Sequence, residues 1–255
     1  MLSDIFVIGN NTIKLDAIAS TNDYLRELLT KGEKITEGSV VIAENQHGGK
    51  GQRGKKWMSE PGENLTFSIL LYPRFLRASD QFELSKAISL GIVSYLQDTL
   101  PVNVSEIKVK WPNDIYIGRE KVCGILIENA VSGNQVAHSI IGIGLNVNQQ
   151  VFDKSIPNPT SMKLSSQKDH DLSLVLEGLC QYLDRRYMRL RNTPLREAAE
   201  EYLGVLYRFA EIWDYEVNGV PLRAQIVGVS GTGCLMLEDE HGKQIHCNHQ
   251  EVSFS

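Results

Sequence analysis

The amino-acid sequence predicts an α+β fold: a mixed or antiparallel sheet with helices packed on it, followed by a small β-barrel-like unit. Three observations predict it. Short runs rich in β-branched residues recur, as in 122–130 and 136–147. Longer stretches place apolar residues three and four apart, notably 80–99 and 172–190. After about residue 206 only short strands and turns follow, so the chain divides into a larger domain, 1–205, and a small β domain, 206–255.

Taken in order, a strand over 13–17 leads to a helix near Thr21. Ser20 or Thr21 can cap its free N–H groups, and Leu25, Leu28 and Leu29 recur at helical spacing. A β-type run over 39–43 enters the glycine-rich segment 47–57, and a strand over 65–72 ends at Pro73. The next helix, 80–99, takes Asp80 as N-cap and buries Leu84, Ala87, Ile88, Gly91, Ile92 and Tyr95. Strands over 107–110, 115–117, 122–130 and 136–147 are joined by turns containing Gly118 and Gly133. A proline-punctuated loop covers 156–160, and helices cover 172–190 and 195–203. In the tail, Asn218-Gly219 signals a tight hairpin, with strands over 224–229, 233–238 and 243–247.

The 255 residues are 42% hydrophobic and 22% charged, a globular composition. A net charge of −5 argues against a general nucleic-acid binder, which needs excess basicity to neutralise phosphates. The four cysteines form no C-x-x-C pair, which fits a reducing compartment. The N-terminus lacks a signal-peptide pattern, and no apolar run reaches the length of a membrane span. A cytoplasmic protein is expected, with no helix-turn-helix domain ahead of the first strand.

Two segments carry chemistry. In Gly48-Gly49-Lys50-Gly51-Gln52-Arg53-Gly54-Lys55-Lys56-Trp57, glycines let backbone N–H groups approach an anion while cationic side chains surround it. That pattern fits either a phosphate-wrapping loop or a solvated hairpin tip. Gly49 to Lys55 also spells most of a nucleotide-binding P-loop, but Lys56 replaces the required hydroxyl residue. The following segment, with Pro61 and Gly62 before a strand, supplies no helix to receive phosphates. In Lys110-Trp111-Pro112-Asn113-Asp114, Pro112 imposes a rigid corner between strands. Lys110 is there either a fixed charge for a carboxylate and a phosphate or a snorkelling surface lysine.

These two segments, with Ser20-Thr21-Asn22, Gly124-Ile125-Leu126-Ile127-Glu128 and Gly142-Ile143-Gly144-Leu145-Asn146-Val147-Asn148, resemble the biotin–protein ligase family. The resemblance runs from about residue 12 to the C-terminus. It implies a class II synthetase-like catalytic domain and a C-terminal SH3-like β-barrel. It also implies a monofunctional enzyme that forms biotinyl-5′-AMP from biotin and ATP, with Mg2+ on the phosphates. Biotin then passes to a lysine of a biotin-carboxyl-carrier domain.

Residue by residue, the resemblance puts Ser20, Thr21, Asn22 and Gln46 at the biotin ring system. Lys50, Gly51, Gln52 and Gly124 also line biotin or its adenylate, and Lys50 and Arg53 lie near the phosphate. Lys110 is implied to be catalytic, touching both carboxylate and α-phosphate. Trp57, Asn113 and Asn146 are implied on the nucleotide side, Trp111 as pocket wall, and family members often pair as homodimers. Many members carry Arg where this chain has Gln52, which keeps hydrogen bonding but loses a charge and a bidentate fork.

The nearest rival is a lipoate ligase or octanoyl transferase; a transferase of that kind needs an acyl-carrying cysteine or lysine. A non-catalytic biotin sensor is a second. His246-Cys247-Asn248-His249 lacks metal-ligand spacing, Cys123 reads as a small buried hydrophobe, and Asp184-Arg185-Arg186 as a solvated helix face.

Overall fold

The computed structural model describes residues 6–192 and 195–254. Its centre is a strand without an exposed position: β3 (Leu65–Leu71), Leu-Thr-Phe-Ser-Ile-Leu-Leu, is buried throughout. Such a strand must be covered on both faces. On one side it pairs with β2 (Val40–Gln46) and then the edge strand β1 (Thr12–Ile18); on the other it pairs with β7 (Gln135–Leu145). Beyond β7 come β6 (Glu120–Ser132), β5 (Asp114–Ile117) and β4 (Ile107–Lys110), completing seven strands. Only β1 and β2 run parallel, because α1 (Thr21–Thr30) crosses between them.

The opposite face is covered by α2 (Phe82–Thr99), against which α4 (Leu172–Asn192) and α5 (Leu195–Gly204) pack. All six apolar positions expected on α2 are buried. The C-terminal strands, β8 (Ile212–Val217), β9 (Val220–Val229), β10 (Leu235–Asp239), β11 (Gln244–Cys247) and β12 (Val252–Phe254), form an antiparallel sheet in the order β11-β10-β9-β8-β12. That sheet is consistent with an SH3-like unit. Asn218 and Gly219 take φ of 51° and 80°, which a two-residue turn between β8 and β9 requires. One apolar core runs through both sheets, from Phe67 and Ile88 to Tyr215 and Leu237.

Two sequence expectations fail. Asp80 does not cap α2; it lies in a 3-10 turn, Ala78–Asp80, and the helix opens two residues later. The N–H of Phe82 donates instead to the Gly231 carbonyl at 3.1 Å, so a tertiary contact satisfies a group that a cap would serve. Asp184 is not solvated either. Buried on α4, it accepts from the backbone N–H groups of Val7 and Ile8, both at 2.8 Å. Its neighbour Arg186 bonds Glu201 and Ser94, tying α4 to α5 and α2. A short helix, α3 (Met162–Ser166), and β12 were not expected.

Replacing Asp184 with Ala leaves two buried N–H groups without their acceptor. The expected loss is about 2–3 kcal/mol, measured as a lower urea midpoint with an unchanged slope.

Candidate active site

The cavity begins with missing side chains. Gly124 on β6 pairs with Gly144 on β7, and Gly142 lies two residues along the same face. A Cβ at Gly144 would stand 2.2 Å from the Trp57 ring, and one at Gly124 2.9 Å from it. At Gly142 it would meet the Asn22 side chain at 2.5 Å. This bare strip lets Trp57 and Asn22 lie directly on the sheet and leaves a cavity of about 810 Å3 beside them.

One end of the cavity is lined by polar side chains that are themselves neutral. Ser20 caps α1, its Oγ accepting from the Asp23 N–H at 3.3 Å, which turns Thr21 and Asn22 into the fold. All three are nearly fully buried. Gln46 Oε1 accepts from both the N–H and the hydroxyl of Thr21, at 2.9 and 3.1 Å. Ser68 on β3 lies 2.7 Å from the Thr21 hydroxyl, and Asn22 donates to Glu128 at 2.7 Å. Short neutral donors and acceptors fixed in this way suit a compact amide-like or urea-like group.

Over this floor folds the glycine-rich segment, which is itself a hairpin. Gly51 N–H bonds Lys55 O at 2.7 Å, Trp57 N–H bonds Gly49 O at 2.9 Å, and a 3-10 turn, Gln52–Gly54, forms the tip. Gly54 takes a φ of +71°, the left-handed conformation that favours glycine. Strand β3 follows, not a helix, as the rejection of a P-loop requires. Lys50 pairs with Asp23 at 2.7 Å. Partial burial raises the Asp23 carboxyl, but bonds from Lys50 and Arg26 outweigh it and hold the group below its usual range. Two atoms of this segment, Gln52 Oε1 and Trp57 Nε1, are buried without a hydrogen-bond partner. One is an acceptor and the other a donor, and both residues line the cavity.

The far end is cationic. Lys110 ends β4 opposite Asp114, yet Asp114 is taken by Lys121 at 2.7 Å. Among the described residues the Lys110 ammonium forms neither ion pair nor hydrogen bond. It lies instead over the rings of Tyr116 and Phe254. Burial lowers its pKa most; Asp114 pulls it upward, and Arg208, Lys121 and Lys55 push it further down. Burial also raises the Tyr116 phenol to about 12, so that ring stays neutral. An ammonium without a counter-ion, among other cations, is a site for an arriving anion.

The corner is held from outside as well. Trp111 lines the cavity but is 3% exposed, its indole N–H bonded to Gly233 O at 3.0 Å and its ring edge-on to His249. Asn113 donates to Ile125 O at 2.7 Å and Asn146 to Thr160 O at 2.9 Å, so both amides brace the wall they line. Gly51 lines the cavity too, whereas the Arg53 side chain lies outside the described residues. Cys123 is fully buried and its thiol pushed up by burial, as expected of a small hydrophobe. Cys247 belongs to the core. No three His, Cys, Asp or Glu side chains converge among the described residues.

Sequence reasoning missed Ser68, Glu128, Lys121, Tyr116 and Phe254. Ser68 alone had a readable signal, a hydroxyl set between Phe67 and Ile69 in a largely apolar strand. The others are brought in by register and by the second sheet.

The sequence profile of the biotin/lipoate A/B protein ligase family matches residues 15–146. The chain belongs to this family. That span holds the glycine strip, the hairpin loop and the Lys110 corner, so the family's shared segment builds most of the cavity, which residues from 152–159 and 249–254 complete. Among relatives of this biotin/lipoate ligase chain, the bifunctional ligase/repressor BirA of Bacillus spizizenii is 30% identical over 246 residues, covering 92% of this chain and 72% of the relative. The biotin–[acetyl-CoA-carboxylase] ligase of Paracoccus denitrificans is 30% identical over 236 residues, 89% of this chain and 95% of its own. The biotin protein ligase of Aquifex aeolicus, solved in complex with biotin and ATP, superposes with a TM-score of 0.79 at 26% identity, covering 96% and 99% of the two chains.

Gly144→Ala must drive the Trp57 ring off the sheet, since no rotamer of that ring tolerates a carbon at 2.2 Å. Iodide quenching of tryptophan fluorescence is expected to increase in this variant while far-ultraviolet circular dichroism stays unchanged.

Proposed function

We propose that this chain activates biotin with ATP, forming biotinyl-5′-AMP, and transfers the biotinyl group to a specific lysine of a biotin-carboxyl-carrier protein. One observation carries the reading. A neutral polar network and an unpaired ammonium stand at opposite ends of one cavity, under a glycine-rich hairpin. Biotin has the matching polarity, a neutral ureido ring at one end and a carboxylate at the other.

In the first step a biotin carboxylate oxygen attacks the α-phosphorus of ATP and pyrophosphate leaves. Two anions repel as they approach, so fixed positive charge at their meeting point lowers the barrier. Lys110 holds that place, and the N–H groups of the hairpin with Lys50 add donors around the phosphates. Ser20, Thr21, Asn22 and Gln46 hold the ureido ring. Gln52 and Trp57 offer their unused acceptor and donor to the adenylate, with Gly51, Gly124, Asn113 and Asn146 forming the wall; Arg53 belongs to the same role. In the second step a neutral lysine amine attacks the biotinyl carbonyl, AMP leaves, and the amine gives up a proton.

Magnesium bound to the nucleotide phosphates would add to the positive charge that Lys110 and Lys50 provide. A transferase that carries its acyl group on cysteine is disfavoured, because Cys123, next to Gly124 of the cavity wall, is wholly buried and its thiol is held protonated. Among the described residues no helix is long and apolar enough to cross a membrane. The reading extends to a cytoplasmic enzyme without nucleic-acid contacts and able to pair as a homodimer. Residues 1–205 serve as catalytic domain and 206–255 as a second domain.

The test is transfer of labelled biotin to a biotin-carboxyl-carrier domain with and without ATP. Label on the carrier only with ATP is expected; ATP-independent transfer, or none, removes the assignment. Lys110→Ala is expected to lower biotin-dependent ATP–pyrophosphate exchange by about two orders of magnitude or more, the scale of one preorganised charge contact. Since Lys110 acts as the charged form and burial depresses its pKa in the free protein, kcat/KM for biotin should fall on the alkaline side at a pH below that of an ordinary lysine. An alkaline limb at or above the ordinary lysine range refutes that role.

A further inference from the structure

Lys110 is gripped by rings that belong to different sheets. Its Nζ lies 5.1 Å from the centroid of Tyr116 on β5 and 5.2 Å from that of Phe254 on β12. Both distances are within the roughly 6 Å over which a ring face attracts a cation. Neither ring is loose. Phe254 stands in register with Tyr215 on β8 and meets its ring edge-on at 5.5 Å. Tyr116 is backed by Tyr207, stacked at 5.8 Å. Two rings thus face the ammonium, and each is held by a second ring.

A four-carbon stem gives lysine wide rotamer freedom, so a catalytic ammonium must be held in place. A carboxylate would hold it but would also neutralise it, and here the nearby carboxylate of Asp114 is taken by Lys121. Ring faces hold a cation without cancelling its charge, and they keep water from it. We infer that Phe254 is a positioning residue: with Tyr116 it clamps the Lys110 ammonium where carboxylate and phosphate meet, so the C-terminal strand supplies part of the catalytic geometry. This rests on the biotin-activating reading of the cavity. Burial and neighbouring cations already disfavour the charged form of Lys110, which adds weight to each contact that favours it.

The experiment compares Phe254→Leu, Phe254→Met and Phe254→Tyr with the wild-type chain. In biotin-dependent pyrophosphate exchange, loss of one ring face is expected to lower kcat roughly three- to thirty-fold, with the KM for biotin little changed. Phe254→Tyr restores most of that rate. In the proton–carbon spectrum of lysine-labelled protein, the Lys110 ε-methylene is identified by its absence in Lys110→Ala. It is expected upfield of ordinary lysines, to move downfield in Phe254→Leu and to return in Phe254→Tyr. Phe254→Met keeps a flexible apolar side chain in the ladder and serves if leucine unfolds the strand. A raised KM with unchanged kcat, a tyrosine variant no better than leucine, or an ε-methylene at the ordinary shift overturns the clamp. Absence of exchange in the wild-type chain overturns the functional reading instead, and the spectrum still reports the ring contact separately.

Discussion

Keeping a half-buried ammonium in place without giving it a carboxylate is the constraint around which this cavity is built. An unpaired buried charge is costly, and a lysine stem long enough to reach solvent would ordinarily escape. Here β4 ends in a corner braced by Trp111 and Asn113, so the stem of Lys110 starts from a fixed point. Lys121 pairs with Asp114, and aromatic faces receive the Lys110 charge. The glycine strip provides the complementary feature, seating Trp57 and Asn22 directly on the sheet so that the cavity beside them takes in both that charge and the Thr21–Gln46 network.

The two ends are set by different physics. At the neutral end, a buried strand and a helix N-terminus present short side chains whose hydrogen bonds fix one another's orientation. At the cationic end, orientation comes from packing and from the absence of competing anions. The hairpin joins them, because its backbone bonds to Ala19 beside the first and its lysines approach the second. A molecule that is neutral at one end and anionic at the other is therefore read twice.

Much of this was legible in the sequence. Strand and helix order followed from periodicity, and the hairpin at Asn218-Gly219 from its turn residues. Every site residue whose side chain is described lines the one cavity. What stayed hidden was tertiary. Asp80 looked like a cap because a local rule knows nothing of the Gly231 carbonyl. Asp184 looked solvated because its charged neighbours concealed a buried anchor for Val7 and Ile8. Phe254 carried no signal, since its role depends on the register of β12 with β8. Residues that act through partners distant in sequence leave no local pattern to read.

The Lys50–Asp23 pair has a consequence for how the hairpin meets its ligand. A phosphate reaching Lys50 does not fill a vacant electrostatic position; it competes with an aspartate already there. An anion taking up Lys50 would exchange one partner for another, with a smaller net Coulombic gain than at an unpaired ammonium. Asp23, on the first turn of the helix that holds the neutral end, is left with Arg26 when Lys50 departs. The same carboxylate thus ties the glycine-rich hairpin to the first turn of the helix that carries Thr21 and Asn22.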